Sequence, residues 1–368
     1  MIGAIFNPVQ FFRSYLIGFL FWAGVALGCL AILMLYHLVG GKWGFLIRRI
    51  LEAATRTFPL LAILFIPIVF GARDIFPWAR AEVVRADPIL VAKAPYLNLS
   101  FFVIRAAVLF AVWIALAWFL NRWSAEQDAS DDPAIGIKLQ RVSAPGLILY
   151  AATTFFASVD WLMSLAPHWY SSIFGMAFMV GQCLSAMAFV LLAVRYLAGV
   201  EPFARFAGAG VFRDLGNLLF MFLMLWGYMT FSQLIIIWSG NLPEEISWYL
   251  PRLNTNWKFV SLFILLSYFG APFLLLLSRR IKADLRFLSA VAGWVLAMRT
   301  LDLIWLVEPI FHPSGISVHV LDFAAPVGIG GVWTAVFLWQ LDQRPLVAIH
   351  DPRMEGAEAA AGHAGHHG

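Results

Sequence analysis

The chain has 368 residues, of which 62% are hydrophobic, 16% aromatic and only 12% charged, with a mean hydropathy of +0.82. Soluble globular domains carry about 25% charged residues, so this composition excludes a soluble enzyme or binding module and points to an integral membrane protein. The net charge of +4 lies in the loops, where it sets membrane orientation, and forms no basic patch for nucleic acid.

A helix needs about 20 predominantly apolar residues to cross a bilayer. Nine segments meet that length: 15–39, 46–71, 97–120, 143–166, 170–198, 214–239, 257–278, 284–308 and 320–341. They are long and lack alternation of period 2, which predicts helices rather than barrel strands. The first is too long for the apolar region of a signal peptide and has no small-residue cleavage site after it. Gly40-Gly41 ends it, Pro167 separates the fourth from the fifth, Asn241-Leu242-Pro243 closes the sixth, and Pro309 with Pro313 closes the eighth. The expected fold class is therefore all-α and polytopic, with residues 1–349 as one lipid-embedded domain. Residues 350–368, rich in Ala, Gly and His without apolar periodicity, predict a disordered tail.

Orientation follows from the cationic residues. Arg13, Arg73, Arg80, Arg85, Lys93, Arg252 and Lys258 fall on the side of the N-terminus, and sixteen Lys and Arg fall on the other. The positive-inside rule places the N-terminus outside, in the periplasm of a bacterial cell, and the C-terminus in the cytoplasm.

With that topology, several ionisable residues inside spans share one depth near the outer face. Asp160 lies about six residues from the outer end of the fourth span, at a rise of about 1.5 Å per residue. Arg299 and Asp302 stand at i and i+3 on one helical face, and Arg105 and Gln233 lie in the outer halves of the third and sixth spans. His168 occupies the turn after Pro167. Ionisable groups within spans mark functional sites by default, because hydrocarbon makes them costly. A quinol suits such a pocket: its tail partitions into lipid, its ring stacks on Trp161 and Trp169, and its oxidation releases protons. Asp160 and His168 are the candidate proton acceptors; Trp161, Trp169, Arg299, Asp302, Arg105 and Gln233 are the candidate pocket. The competing structural reading pairs Arg299 with Asp302, sends Arg105 outward to the interface and leaves Asp160 to bond a neighbouring helix.

Toward the inner face, Arg48, Glu52 and Arg56 have i, i+4 spacing and predict surface ion pairs. His37 ends the first span there. Tyr150, Thr154 and Ser158 line one helix face toward Asp160, which suits either a proton path or hydroxyls bonded to their own backbone. No metal site is expected: Cys29 and Cys183 lie alone in spans, no Cys-x-x-Cys-His occurs, and no two histidines face each other at matching depth for a haem. The chain carries no expected covalent or metal-ligated cofactor, so electron transfer would need redox centres on partners.

Several stretches resemble one family. They are Arg13-Ser14-Tyr15, His37 through Gly44, Arg48-Arg49 with Glu52-Ala53-Ala54, Asp160 through Leu165 with Pro167-His168-Trp169, and above all Asn217 through Leu250. Together with Pro272 through Arg279 and Met298-Arg299 with Asp302, they are similar to the smaller of the two quinone-binding-type membrane subunits of alternative complex III, across roughly residues 6–353. The resemblance implies a polysulfide-reductase-like (NrfD-type) fold of two four-helix bundles in a bacterial inner membrane. It also implies a non-redox subunit of a quinol:cytochrome c oxidoreductase, partnered by multihaem cytochrome and iron–sulfur subunits and by a larger, sister NrfD-like membrane subunit. Two departures stand out. The chain starts at the helix that is second in many relatives, and Ser267-Tyr268-Phe269 replaces a histidine found before Pro-Phe in the seventh span. The alternatives are a non-catalytic membrane scaffold and an independent transporter; the second is weakened because the ionisable groups lie off-centre and no interrupted helix pair stands out.

Overall fold

The computed structural model describes residues 7–130 and 132–348, and the predicted tail lies outside them. Ten long helices carry the fold: α1 (Pro8–Val39), α2 (Lys42–Thr55), α3 (Phe58–Phe70), α4 (Leu99–Asp128), α5 (Pro133–Trp161), α6 (Ser172–Leu197), α7 (Ala209–Gly240), α8 (Trp257–Leu277), α9 (Leu285–Phe311) and α10 (Val320–Asp342). Eight are individually long and apolar enough to cross a membrane. α2 and α3 pass only together, with a bend of 42° between them. The expected second span is thus a broken one. The break at Arg56-Thr57 is followed by Pro59 in the first turn of α3, a position where the missing N–H costs no helical bond.

Chain punctuation matches the physical signals. Asn7 and Asn98 accept hydrogen bonds from the first-turn amides of α1 and α4, and Asp132 and Asp284 do the same for α5 and α9. Asn241 closes α7 in the left-handed conformation, with φ of 47°. The connection between α3 and α4, read from sequence only as a loop, folds into short helices at Ala72–Ile75, Ala81–Ala86 and Pro88–Lys93.

The helices pack as two rings of four elements. In the first, α1, α2–α3, α4 and α5 touch in cyclic order. In the second, α6, α7, α8 and α9 do the same. α1 is the seam between them, packing on α6 and α9 of the second ring as well as on α10. Its most apolar 18 residues are 94% buried, against 22% for α8 and 33% for α4, so α1 is a core helix and the others face lipid on one side. Glycines permit that centrality. A Cβ on Gly28 would lie 2.3 Å from the Gln182 carbonyl oxygen of α6, and one on Gly18 would lie 2.8 Å from the Ala325 and Pro326 backbone of α10. Small residues let helix backbones approach where no hydrophobic force drives them together in lipid.

Candidate functional site

Each ring holds an Arg–Asp pair near the N-terminal face, Arg105–Asp160 in the first and Arg299–Asp302 in the second, and these two pairs are built differently. In the first ring, Arg105 of α4 meets Asp160 of α5 through two bonds, Nε to Oδ2 at 2.8 Å and Nη2 to Oδ1 at 3.0 Å. Its third nitrogen, Nη1, donates to the Tyr96 carbonyl oxygen at 2.8 Å, and the guanidinium lies 3.8 Å from the Tyr96 ring centre. A fork of this kind engages both oxygens of the carboxylate. Tyr96, in the loop before α4, has its phenol pushed up to about 12, by burial first and then by the nearby Asp160.

In the second ring, Arg299 and Asp302 of α9 meet through one contact, Nη1 to Oδ2 at 2.5 Å. Both line a small cleft of about 40 Å³ whose walls are Phe174 and Phe178 of α6, Trp226, Thr230 and Gln233 of α7, Trp248 and Tyr249, and Trp305 of α9. Gln233 Nε2 donates to the Tyr249 hydroxyl at 3.1 Å. Gly181 of α6 makes room for the guanidinium, since a Cβ there would lie 2.7 Å from Arg299 Nη1. Next to the pair, α8 is wound as a π-helix over Leu265–Gly270, just before Pro272, and presents Tyr268 inward. Tyr268 is fully buried against Trp226, with ring centres 4.4 Å apart, and its hydroxyl has no hydrogen-bond partner among the described residues. π-bulges of this sort occur frequently at functional sites because they re-aim one side chain without ending the helix.

A second, larger cavity of about 210 Å³ opens beside the cleft and shares Trp248 with it; Pro167, His168, Trp169, Pro251, Arg252, Pro309 and Pro313 are among its walls. Pro309 has no N–H, so the Trp305 carbonyl one turn earlier loses its helical donor. Arg252 supplies a replacement donor, Nε to Trp305 O at 3.3 Å, and its other nitrogens donate to two further carbonyls, Nη2 to Leu306 O at 2.8 Å and Nη1 to Trp248 O at 2.6 Å. It forms no ion pair among the described residues, and burial holds its guanidinium well below the usual range for arginine.

Of the residues singled out from sequence, the fold brings Arg299, Asp302 and Gln233 to one cleft and places His168 and Trp169 on the neighbouring cavity. Trp169 stacks on Trp248 with ring centres 4.9 Å apart. Asp160 and His168 are not brought together. Asp160 is held by Arg105, whereas His168 Nε2 meets the Asp87 carboxylate at 2.5 Å in the loop before α4. Trp161 sits apart from both cavities, among Phe19, Phe65, Phe110 and Trp113. Arg105 turns inward to Asp160 rather than outward.

On the opposite face, the expected surface ion pairs are corrected. Arg48, Arg49 and Glu52 are each 1–2% exposed. The Glu52 carboxylate accepts from Arg48 Nε at 2.8 Å, Arg49 Nη1 at 2.7 Å and Ser124 Oγ at 2.5 Å. α2 is covered by α4 and α10 there, which a local i, i+4 rule does not register. Arg56 donates instead to the Gln340 carbonyl oxygen. His37 is buried at the same end of α1. Along α5, Tyr150 donates to Gln182 Oε1 at 3.1 Å, Ser158 to its own Phe155 carbonyl at 2.7 Å, and Thr154 Oγ1 has no partner among the described residues, so the three hydroxyls form no continuous chain.

Tyr268, Trp248, Tyr249 and Arg252 were not among the candidate site residues read from sequence. Tyr268 stood out only as the replacement of a histidine in the resembling family, and for Arg252 the local signal was Pro309, whose missing N–H implied a freed carbonyl at Trp305. Among the described residues no group of three or more His, Cys, Asp or Glu side chains is placed to hold a metal ion. Compared with known proteins, the chain matches no family model and no curated protein.

Proposed function

We propose that this chain is a membrane subunit of a respiratory quinol:electron-acceptor oxidoreductase of the alternative complex III type. In this reading it contributes a quinone-binding-type site and proton handling, while haem and iron–sulfur centres belong to multihaem cytochrome and iron–sulfur partners beside a sister NrfD-like subunit. The N-terminal face, which carries His168 and Arg252, is then periplasmic and the C-terminus cytoplasmic. The reading is supported by the resemblance across residues 6–353 and carried by one observation, the aromatic cleft at Arg299–Asp302.

The donor set there suits a dihydroxy or dicarbonyl ring. Arg299 and Gln233 can donate to its oxygens, Asp302 can accept from a phenolic O–H, and Trp226, Trp248 and Trp305 offer stacking faces. The room does not suit it yet: about 40 Å³ is water-sized, whereas small-molecule sites run to about 300 Å³ or more. Admission of a ring therefore requires Trp248, the wall shared with the larger cavity, to swing aside. A bound quinol would supply two electrons to a partner's redox centre, and the residues here would position it and take its protons.

The test is quinone binding to the assembled complex carrying Gln233→Leu or Asp302→Asn. Weakening of about fivefold, the worth of one neutral hydrogen bond, is expected for Gln233→Leu, and of about tenfold or more, the worth of one to a charged group, for Asp302→Asn. Unchanged binding in both variants, with assembly intact, would sink the reading. A scaffold role is favoured by a different observation, the closed Arg105–Asp160 fork, which ties α4 to α5 and engages both oxygens of Asp160.

A further inference from the structure

Four buried atoms without hydrogen-bond partners among the described residues converge at one place on the N-terminal face, on residues that line neither cavity. They are the two carboxyl oxygens of Glu308, Nε2 of His312 and Nε of Arg13. Glu308 is fully buried in the last turn of α9. His312, one turn on and just past the helix end, is 31% exposed, and its Nε2 stands 3.6 Å from Glu308 Oε2. That gap is too long for a direct hydrogen bond.

The charged groups around Glu308 do not satisfy it. Asp322 of α10 is also fully buried, but its oxygens are occupied: Oδ1 accepts from Ser14 at 2.5 Å and Gln10 at 3.0 Å, and Oδ2 from the His319 N–H at 2.7 Å. Asp322 therefore offers Glu308 a second negative charge and no donor. Arg13 of α1 is the nearest cation. Its guanidinium lies over the Phe311 ring at 3.9 Å and makes no ion pair with Glu308 among the described residues; Asp74 and Arg80 of the following loop act on it in turn. An ionised carboxylate without a hydrogen bond is among the costliest groups to bury, and proteins neutralise it instead.

We propose that Glu308 holds a proton as a neutral carboxyl and exchanges it with solvent through His312, so that the pair forms a proton port on the N-terminal face. His312 suits the relay. Burial, with Arg13 adding to it and Asp322 opposing, holds its imidazole below the ordinary histidine range, so the ring is a neutral acceptor at neutral pH. In one exchange the O–H of Glu308 breaks as an N–H forms at Nε2 of His312, the imidazolium gives a proton to water, and a proton from solvent returns through the same imidazole to re-form the Glu308 O–H; no electrons move. Rotation of the ring, or one bridging water, closes the 3.6 Å gap. The inference goes beyond the quinol reading and requires no quinol in the cleft.

Infrared spectroscopy of the full chain in lipid nanodiscs tests it. At neutral pH a protonated-carboxyl C=O stretch that shifts in D2O should be present and should vanish in Glu308→Gln. His312→Ala should keep the band and slow its exchange into D2O by roughly a hundredfold, the worth of a positioned acid–base group. Should Glu308→Gln fail to fold, Glu308→Asp must move the band. A band that persists unmoved in the Glu308 variants, or exchange as fast in His312→Ala as in the parent chain, overturns the proposal. Neither readout depends on quinone binding, so failure here leaves the quinol reading standing and the reverse also holds.

Discussion

The two Arg–Asp pairs use the same residue types in the same hydrocarbon-compatible setting, yet they pose different chemistry. Arg105–Asp160 joins two helices through a two-bond fork backed by a carbonyl and an aromatic face. Arg299–Asp302 lies on one helix, touches through a single pair of atoms and borders a cleft with an unpartnered tyrosine hydroxyl beside it. A fork that engages both carboxylate oxygens fixes a structure. A single contact beside open space leaves lone pairs and N–H groups for something else. The difference teaches that the residue types of a buried ion pair do not reveal its role; the number of its hydrogen-bonding sites already committed does.

The largest expected effect separates the pairs on stability. Asp160→Ala strands Arg105, only 11% exposed, and should destabilise the fold by about 3–5 kcal/mol. Asp302→Ala should cost less, about 1–3 kcal/mol, because it removes one hydrogen bond within a single helix rather than a two-bond link between two helices. Thermal unfolding in detergent measures both, and a reversed order would break the comparison. Next, Gly181→Ala drives a methyl against the Arg299 guanidinium and should cost about 1–3 kcal/mol while leaving the first ring unaffected. A smaller effect is expected from Tyr268→Phe. Removing a hydroxyl that has no partner should change stability by less than about 1 kcal/mol, and a larger loss would show that the hydroxyl is bonded in the second site.

The smallest effect concerns the pH dependence of the loop that flanks the first pair. Burial pushes the Asp87 carboxyl up, but the His168 hydrogen bond and the Ile89 and Leu90 amides outweigh it and hold it below the ordinary range. A depressed carboxyl contributes stability that is present above its unfolded value, about 3.9, and is lost as pH falls through the folded value. Acid titration followed by hydrogen exchange of residues 88–93 should show loosening only below that unfolded value. Asp87→Asn should abolish the dependence, and a loosening already complete at pH 6 would assign it to another group.

Much of the architecture was legible because a bilayer enforces it. Length, hydropathy and the placement of Gly, Pro and Asn located every span, though not the break at Arg56-Thr57 that divides the second into α2 and α3, and the i, i+3 spacing of Arg299 and Asp302 foretold their contact. The centrality of α1 was not legible, since an all-apolar helix reads alike whether lipid or protein surrounds it. The same limit applies to Arg48 and Glu52: their spacing predicted the pair but not the helices that cover it. Asp160 and His168, eight residues apart, looked like natural partners, yet the turn at Pro167 sends them to different neighbours.

The sequence by itself determined that this chain is an all-helical membrane protein with about nine crossings, and which ionisable residues those crossings contain. Only the tertiary structure decided their partners: Asp160 with Arg105, His168 with Asp87, Arg299 and Asp302 with a cleft, and Glu308 with no hydrogen-bond donor among the described residues. The reason is physical. Transfer into hydrocarbon is a property of each segment alone, whereas the hydrogen bonds that satisfy a buried charge come from whichever helix packs beside it.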